Sequence, residues 1–254
     1  MIFHMGVSRQ ILVSYCNELL LTRPFNDYCP NGLQVEGRET IRNIVSGVSA
    51  SLALLEAAKE HKADLILVHH GYFWRGANPV ITGMMKRRLA LLLKEDMNLL
   101  AYHLPLDAHE ELGNNVRLAQ LLNIACLGPV ASGSLVFHGR FDTPCTPTAL
   151  AHLLHDRLGQ KPLHIAGKSS SISTVAWCTG AAQDSIDIAA DLGVDAFLSG
   201  EISERTVHSA RETGVHYFAC GHHATERYGV MALGEHLAQR FELKHHFIDI
   251  DNPV

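Results

Sequence analysis

The chain has 254 residues, of which 47% are apolar and 19% charged. At about 150 residues per domain, this length predicts one large domain or two modest ones, and the apolar content excludes a disordered chain. The 21 basic and 26 acidic residues give a net charge of −5, which disfavours binding to the phosphates of duplex nucleic acid. No apolar run approaches the ~20 residues of a membrane span, and residues 1–10 lack the apolar region of a secretory signal. We therefore expect a cytoplasmic protein with no membrane partner.

Hydrophobic periodicity predicts alternating helices and strands. Ser8 is expected to cap a helix that runs to about Leu21, with Ile11, Leu12, Tyr15 and Leu19 on its apolar face, and residues 23–40 are expected to form a loop. The elements predicted after it are strand 41–48, helix 51–61, strand 64–68, helix 82–95, strand 98–102, helix 115–122, strand 123–126, helix 148–158, strand 172–178, helix 183–192, strand 195–199, helix 203–212, strand 215–220, helix 228–239 and strand 244–250. Such alternation predicts an α/β fold with a partly parallel sheet.

The two halves of the chain resemble each other. LEAAKEHKADLILVHHG and IDIAADLGVDAFLSGEI share the order helix, aspartate, buried strand and polar turn, which pairs Asp64 with Asp195. An internal duplication and a chance likeness between two βαβ units both explain this pattern. A duplication predicts two similar α/β domains, residues 1–127 and 128–254, with a break near Gly128-Pro129.

The six cysteines include no C-x-x-C pair, so reduced and buried thiols are expected. The 17 histidines are more unusual, because several occur as adjacent pairs. Imidazoles and carboxylates also follow four predicted strands, at the ends where α/β sheets bind ligands. These strand-end residues are His69, His70, His103, Asp107, Glu201, His222 and Glu226.

This set of side chains predicts a metal site. Adjacent residues of an extended segment point to opposite sides, so His69 and His70 suit two metal ions, or one ion and one substrate contact. Nitrogen and oxygen donors without thiolates are compatible with zinc, iron or manganese. A single histidine after a strand is usually an ordinary structural residue, but four such strand ends together favour a metal centre.

Other segments carry weaker signals. The loop PNGLQVEG is explained by turn chemistry or by contact with substrate or a neighbouring subunit. SGVSAS and CTGAAQDS each join a strand to a helix, where capping is favoured over anion binding. Motifs of P-loop, Rossmann and α/β-hydrolase proteins are absent from the sequence.

Taken together, PNGLQVEG, HHGYFW, HLPLDAHEELGNN, LSGEIS and GHHATER resemble the YbgI-type, Nif-three-like family, whose members carry the name GTP cyclohydrolase 1 type 2. The resemblance covers residues 27–253 and leaves Met5 as an alternative start. It implies two related α/β domains, a dinuclear metal centre between them and a toroidal homohexamer. The metal ligands that it implies are His69, His70, Asp107, His222 and Glu226. It makes His103 a neighbouring histidine that could act as a proton carrier.

The main functional hypothesis is a dinuclear metal-dependent hydrolase that acts on a nucleotide-like small molecule, with ring opening of GTP as the cyclohydrolase version. It requires two divalent ions per chain, of zinc, iron or manganese. One alternative keeps the site but cleaves a phosphoester. The other is a non-enzymatic metal-binding assembly protein that acts through partner contacts.

Overall fold

The protein, described by a computed structural model over residues 6–20 and 25–254, consists of two compact units. Unit 1 contains the described residues up to Leu112 together with Gly229–Ile250. Unit 2 contains Gly113–Tyr228 and Asp251–Val254. Met5 and Leu21, which bear on the expected start and on the expected end of the first helix, lie outside the described residues.

Strands and helices alternate along most of the described chain. The strands are β1 (Val7–Ser8), β2 (Gly32–Val35), β3 (Thr40–Ile41), β4 (Asn43–Ser49), β5 (Leu65–His70), β6 (Asn98–Ala101), β7 (Ala125–Pro129), β8 (Phe137–Cys145), β9 (Leu163–Ile165), β10 (Ile172–Cys178), β11 (Ala196–Ser199), β12 (His216–Ala219) and β13 (Lys244–Phe247). The helices are α1 (Arg9–Leu20), α2 (Leu52–Glu60), α3 (Gly83–Lys94), α4 (Leu104–Ala108), α5 (Asn114–Leu121), α6 (Pro147–Leu158), α7 (Ile186–Leu192), α8 (Glu204–Thr213) and α9 (His222–Phe241).

Unit 1 is built on a five-stranded sheet in the order β13-β4-β5-β6-β2. Its first four strands are parallel, and β2 runs antiparallel to β6. The side chains of alternate β5 residues pack into hydrophobic clusters on opposite faces of the sheet, because side chains alternate along a strand. Leu65 and Leu67 join the cluster that contains Leu12 of α1 and Leu233 of α9, whereas Ile66 joins residues of α2 and α3. Helices therefore cover both faces of the sheet.

Unit 2 is built on a six-stranded sheet in the order β7-β8-β10-β11-β12-β9. The strands β10, β11 and β12 are parallel, with antiparallel neighbours on either side. Trp177 packs with Leu150 and Leu154 of α6, and Phe197 packs with Ile186 of α7 and Ala210 of α8 on the other face. This unit is also a three-layer α/β structure.

Asp64 and Asp195 have the same structural role, each in its own unit. One carboxylate oxygen of Asp64 accepts the backbone N–H groups of Arg42 and Asn43 at 2.8 and 2.9 Å. One oxygen of Asp195 accepts two adjacent backbone N–H groups at 2.9 Å, where β10 begins. Each aspartate lies directly before one parallel strand, β5 or β11, and its carboxylate binds the backbone at the start of the adjacent strand, β4 or β10. The residues that the sequence comparison pairs are therefore equivalent in their contacts.

We expect the substitution Asp64→Ala to destabilise unit 1 by about 3 kcal/mol. The change removes two backbone acceptor contacts and the ion pair with Arg38 at 3.0 Å, from a side chain only 10% exposed. Urea unfolding measures the loss. Asp191→Ala, which removes an exposed carboxylate from α7, should cost much less. Equal costs for the two variants would contradict the anchoring role.

His245 is a partly buried imidazole in β13 and gives unit 1 a pH dependence. Its Nε2 lies 2.7 Å from the hydroxyl of Ser46. Burial, followed by the charge of neighbouring His246, lowers the pKa of His245 from 6.5 to about 4. As the pH falls, the unfolded chain therefore binds a proton at His245 before the folded chain does. The free energy of unfolding then decreases as the pH falls from 6.5 to 4. Between neutral and acidic pH, the unfolding temperature of His245→Gln should decrease less than that of the wild type. The exposed control His152→Gln should show the same decrease as the wild type.

Most predicted elements of regular structure are present, with boundary shifts that have local causes. Ile11 is 57% exposed, so its predicted burial is wrong: the buried stripe of α1 runs through Leu12, Cys16 and Leu20. The expected loop 23–40 contains β2, which forms because β6 supplies a hydrogen-bonding edge. The last helix begins at His222 rather than at residue 228. Ser51 accepts the N–H of Leu54 and caps α2, as the favoured interpretation of SGVSAS predicts.

The structure divides the chain differently from the proposed break at residue 128. Residues 229–250 belong to unit 1, because β13 pairs with β4 of that sheet. Residues 113–127 belong to unit 2, where β7 pairs with β8. All six cysteines are free thiols. Within the described part of the chain, no helix combines the length and the apolar character needed to cross a bilayer.

Candidate metal centre

The end of β5 places two imidazoles in unit 1. This central strand is buried along most of its length, and His69 has no exposed surface. The rings of His69 and His70 have centroids 4.7 Å apart. The strand ends at His70, and a Cβ atom at the next residue, Gly71, would lie 2.2 Å from the side-chain oxygen of Gln34 and 2.7 Å from Cβ of Ala101. A glycine at this position therefore allows close packing after the histidine pair.

The neighbouring strand β6 delivers His103 and Asp107 to the same edge of the sheet. Asp107 is buried in the short helix α4, and one of its oxygens lies 3.5 Å from Nε2 of His69. The ring of His103 lies 5.0 Å from that of His69 and 5.7 Å from that of His70. Donor atoms of these three histidines all lie within 4.8 Å of one another. Three imidazoles and one carboxylate thus converge in unit 1.

Hydrogen bonds define which ring nitrogen each histidine presents. The Nδ1 atom of His69 lies 2.9 Å from the carbonyl oxygen of Tyr102. A carbonyl only accepts, so Nδ1 carries the hydrogen and Nε2 carries the lone pair. Nδ1 of His70 is bonded to the hydroxyl of Ser49 at 3.0 Å, and Nδ1 of His103 to the carboxylate of Asp27 at 2.6 Å. Protein metal sites use such partners to orient ligating imidazoles.

Unit 2 contains a second cluster, at the ends of β11 and β12. His222 begins α9, and Glu226 lies one turn later with only 3% of its surface exposed. Nε2 of His222 lies 3.0 Å from an oxygen of Glu226. Glu201, which follows β11, accepts from Nδ1 of the same ring at 2.7 Å. Glu201 therefore orients His222 as Tyr102 orients His69.

Two carboxylates surround the imidazole of His222. Burial by itself would lower the pKa of His222, but hydrogen bonds and charge from Glu226 and Glu201 outweigh burial and raise it to about 9. At neutral pH the ring therefore carries a positive charge between two anions. A position that stabilises an imidazolium in this way is also favourable for a metal cation, which would replace the proton.

Gly180 forms the wall behind Glu226. It follows β10 in the segment CTGAAQDS, at a φ of +70°. A Cβ atom at this position would lie 2.1 Å from Oε1 of Glu226 and 3.2 Å from Nε2 of His222. Its N–H donates to the hydroxyl of Thr225 at 3.1 Å. The backbone after β10 therefore contacts the carboxylate and limits where it can move.

The structure places the sequence-predicted site residues at strand ends or in the helices that follow them, with Asp107 in α4 and Glu226 in α9. It brings His69, His70, His103 and Asp107 together in unit 1, and His222 and Glu226 together in unit 2. Sequence reasoning named Glu201 as a strand-end group but did not assign it to His222. It missed Asp27 and Gly180. Gly180 has a local signal, a glycine directly after a strand, whereas Asp27 lies in a loop with no distinguishing pattern.

Comparison with known proteins identifies relatives along the whole chain. A Pseudomonas aeruginosa protein named "GTP cyclohydrolase 1 type 2 homolog" is 53% identical over 98% of this chain and 100% of its own. The solved structure of a protein called ybgI, of unknown function, is 51% identical, with a TM-score of 0.95 over 98% of this chain and 100% of that one. A crystal structure of a Thermus thermophilus protein is 36% identical, with a TM-score of 0.89 over 98% and 100% of the two chains.

The family follows from a match of nearly the full length. Residues 7–253 match the sequence profile of Duf34/NIF3, NGG1p interacting factor 3. The resemblance based on PNGLQVEG, HHGYFW, HLPLDAHEELGNN, LSGEIS and GHHATER is thereby confirmed. The chain belongs to the Duf34/NIF3 family.

Proposed function

We propose that the protein is a cytoplasmic, dinuclear metal-dependent hydrolase that acts on a nucleotide-like small molecule. The observation that carries the proposal is the shared orientation of the clustered histidines. Each of His69, His70, His103 and His222 has its Nδ1 atom engaged by an oxygen atom, so Nε2 is the nitrogen that each ring would present to a metal ion or a substrate. An arrangement repeated on four rings is typical of metal sites and is unusual among structural histidines.

The donor set fits divalent ions of zinc, iron or manganese. Imidazole nitrogens and carboxylate oxygens suit these ions, and the buried carboxylates of Asp107 and Glu226 supply negative charge. We propose that His69, His70, Asp107, His222 and Glu226 together hold two ions. Neither unit's ligands alone would complete two coordination spheres. The matching roles of Asp64 and Asp195 support the related proposal that the two units arose by internal duplication.

The chemistry of the site follows from the positions of its own side chains. When bound, two divalent ions would activate water and polarise an electrophile. Glu201 would keep the ring of His222 in one orientation. His103 is not needed as a ligand in this scheme. Nε2 of its ring would take a proton from the attacking water and pass it to the departing nitrogen or oxygen. The name of the Pseudomonas aeruginosa relative suggests ring opening of GTP as the first reaction to examine.

The test of function is reconstitution of metal-free protein with zinc, iron or manganese, each loaded separately. Nucleotides are then screened for products by mass spectrometry. A ring-opened product supports the cyclohydrolase version, and a dephosphorylated product supports the phosphoesterase alternative. Full metal loading with no product from any nucleotide would favour the non-enzymatic assembly protein.

The substitution His103→Gln separates two roles of this residue. A proton carrier predicts slow turnover with unchanged metal content, because the ligands remain intact. A further ligand predicts loss of metal. Elemental analysis and turnover measured on the same sample distinguish these results. Full turnover with full metal content would contradict both roles.

Metal occupancy should depend on pH. Ligating imidazoles must be neutral, so protonation of His69 and His70 should release metal below about pH 6. The raised pKa of His222, about 9 in the metal-free chain, adds proton competition at neutral pH, so affinity should continue to rise up to about pH 9. Calorimetric titrations with zinc in buffers of different ionisation enthalpy should detect protons released on binding. Binding that is independent of pH would contradict this assignment of ligands.

We also propose a toroidal homohexamer, as the family resemblance implies. The exposed side chains of Tyr28 and Phe73, at 59% and 47%, are candidates for subunit contacts or for lining the central cavity. Sedimentation velocity on the full chain tests this proposal. A monomer at all protein concentrations would contradict it.

A further inference from the structure

The loop that contains PNGLQVEG has contacts that turn formation does not require. Asp27, four residues before Asn31, is 5% exposed in its side chain. Its Oδ1 accepts from Nδ1 of His103 and from the N–H of Tyr28, both at 2.6 Å. Its Oδ2 accepts from the side chain of Asn31 at 2.8 Å and from the N–H of Leu104 at 3.1 Å. Both oxygens of this carboxylate are thus fully used.

Asn31 closes the arrangement around His103. Its amide nitrogen donates to Asp27, and its amide oxygen accepts the backbone N–H of His103 at 2.7 Å. The ring of Trp74 lies edge-on to the imidazole, with centroids 5.1 Å apart. The histidine is therefore held at its backbone, at one ring nitrogen and on one side of the ring.

Strand β2, which follows Asn31, holds the turn after the histidine pair through Gln34. The side-chain oxygen of Gln34 accepts the N–H of Tyr72 at 2.6 Å, and its nitrogen donates to the carbonyl of Pro30 at 2.8 Å. Asp27 and Gln34 therefore act on two neighbouring strand ends, those of β6 and β5. A loop that only reversed the chain direction would need neither contact.

We propose that Asp27 is a positioning residue that sets the tautomer and orientation of His103. This inference rests on the proposed role of His103 as a proton carrier. A carboxylate only accepts hydrogen bonds, so contact with Asp27 requires hydrogen on Nδ1 of the imidazole. In the neutral ring the lone pair is then on Nε2. Without Asp27 the imidazole could present either nitrogen.

The substitution Asp27→Asn tests this role, because an amide of the same shape cannot make all four contacts. If its oxygen keeps the bonds to Asn31 and Leu104, its NH₂ group faces Nδ1 of His103 and favours the tautomer with hydrogen on Nε2. If the amide turns the other way, the side chain of Asn31 and the N–H of Leu104 lose their acceptor. A loss of turnover of about tenfold or more is expected, equivalent to one charge-assisted hydrogen bond.

The experiment is ¹⁵N solid-state NMR on zinc-loaded, histidine-labelled full-length protein, in which each tautomer has its own pair of nitrogen shifts. The His103 signals are identified by their loss in His103→Gln. We expect hydrogen on Nδ1 in the wild type and a change of these signals in Asp27→Asn. The matched control is Asp195→Asn, which alters a carboxylate with a comparable set of acceptor contacts in unit 2. It should leave the His103 signals unchanged.

The possible outcomes separate this inference from the proposed function. Hydrogen on Nε2 of His103 in the wild type would overturn the positioning role even if Asp27→Asn did not fold. Unchanged His103 signals in Asp27→Asn would also overturn it. Neither result depends on metal content or turnover, which test the hydrolase proposal. An Nδ1 tautomer controlled by Asp27 in a protein that hydrolyses no nucleotide would support the positioning contact and count against the enzyme.

Discussion

Replacement of His69 by alanine is expected to weaken metal binding by more than about 100-fold, because loss of an outer partner of a metal ligand already costs 10- to 100-fold. His69 is fully buried, and its Nδ1 contact with Tyr102 directs Nε2 towards Asp107. Alanine removes the donor, and the buried site offers water little room to replace it. Elemental analysis after reconstitution should find about two metals per chain in the wild type and clearly fewer in the variant.

His245→Ala is the matched control for this experiment. It also removes a hydrogen-bonded imidazole from unit 1, but one whose partner is the hydroxyl of Ser46. Metal content should remain near the wild-type value in this variant. Circular dichroism on both samples shows whether they are folded. Two metals retained by folded His69→Ala protein would remove His69 from the ligand set, and one metal or fewer in the wild type would contradict a dinuclear centre.

The substitution Gly180→Ala is expected to reduce metal affinity by about 10- to 100-fold without removing any ligand. The new methyl group would lie 2.1 Å from Oε1 of Glu226, a distance that the carboxylate can avoid only by moving. Glu226 has little freedom to move, because it is 3% exposed. Zinc titration against a chromophoric chelator measures the affinity.

Gly193→Ala separates this steric effect from backbone strain. Gly193 has a φ of +67°, close to the +70° of Gly180, but no atom lies within 4 Å of a Cβ built at that position. Both alanines therefore bear the same cost of a left-handed conformation, about 1–2 kcal/mol. Only Gly180→Ala should lose zinc affinity. Equal zinc affinities in the two variants would show that Glu226 does not bind metal in its present position.

The sequence identified donor residues that the structure brings together. Local patterns were sufficient to recognise β5 and β6 as buried strands, and simple counting placed His69, His70, His103 and Asp107 just beyond their ends. His222 and Glu226 were placed after their strand in the same way, although the helix that carries them begins six residues earlier than predicted. Residues at strand ends can be predicted from the sequence because a strand and its flanking residues are adjacent in the chain.

The residues that position the candidate ligands could not be predicted from local sequence patterns. Asp27 contacts His103 across 76 residues of sequence, and Gly180 contacts Thr225 across 45. No periodicity links such pairs, because they meet only when neighbouring strands align in a sheet. The same reason explains the division into units, since pairing of β13 with β4 returns residues 229–250 to the first sheet.

By itself, the sequence determined the α/β class, the donor types and the strand ends that carry them, because these depend on hydrophobic periodicity and on the identity of adjacent residues. Tertiary structure alone decided which nitrogen each histidine presents, which carboxylate orients it and which glycine contacts Glu226. Those properties depend on hydrogen-bond partners and packing distances of a few ångströms between segments far apart in the chain. Long-range strand pairing therefore converts a set of candidate ligands into an oriented site.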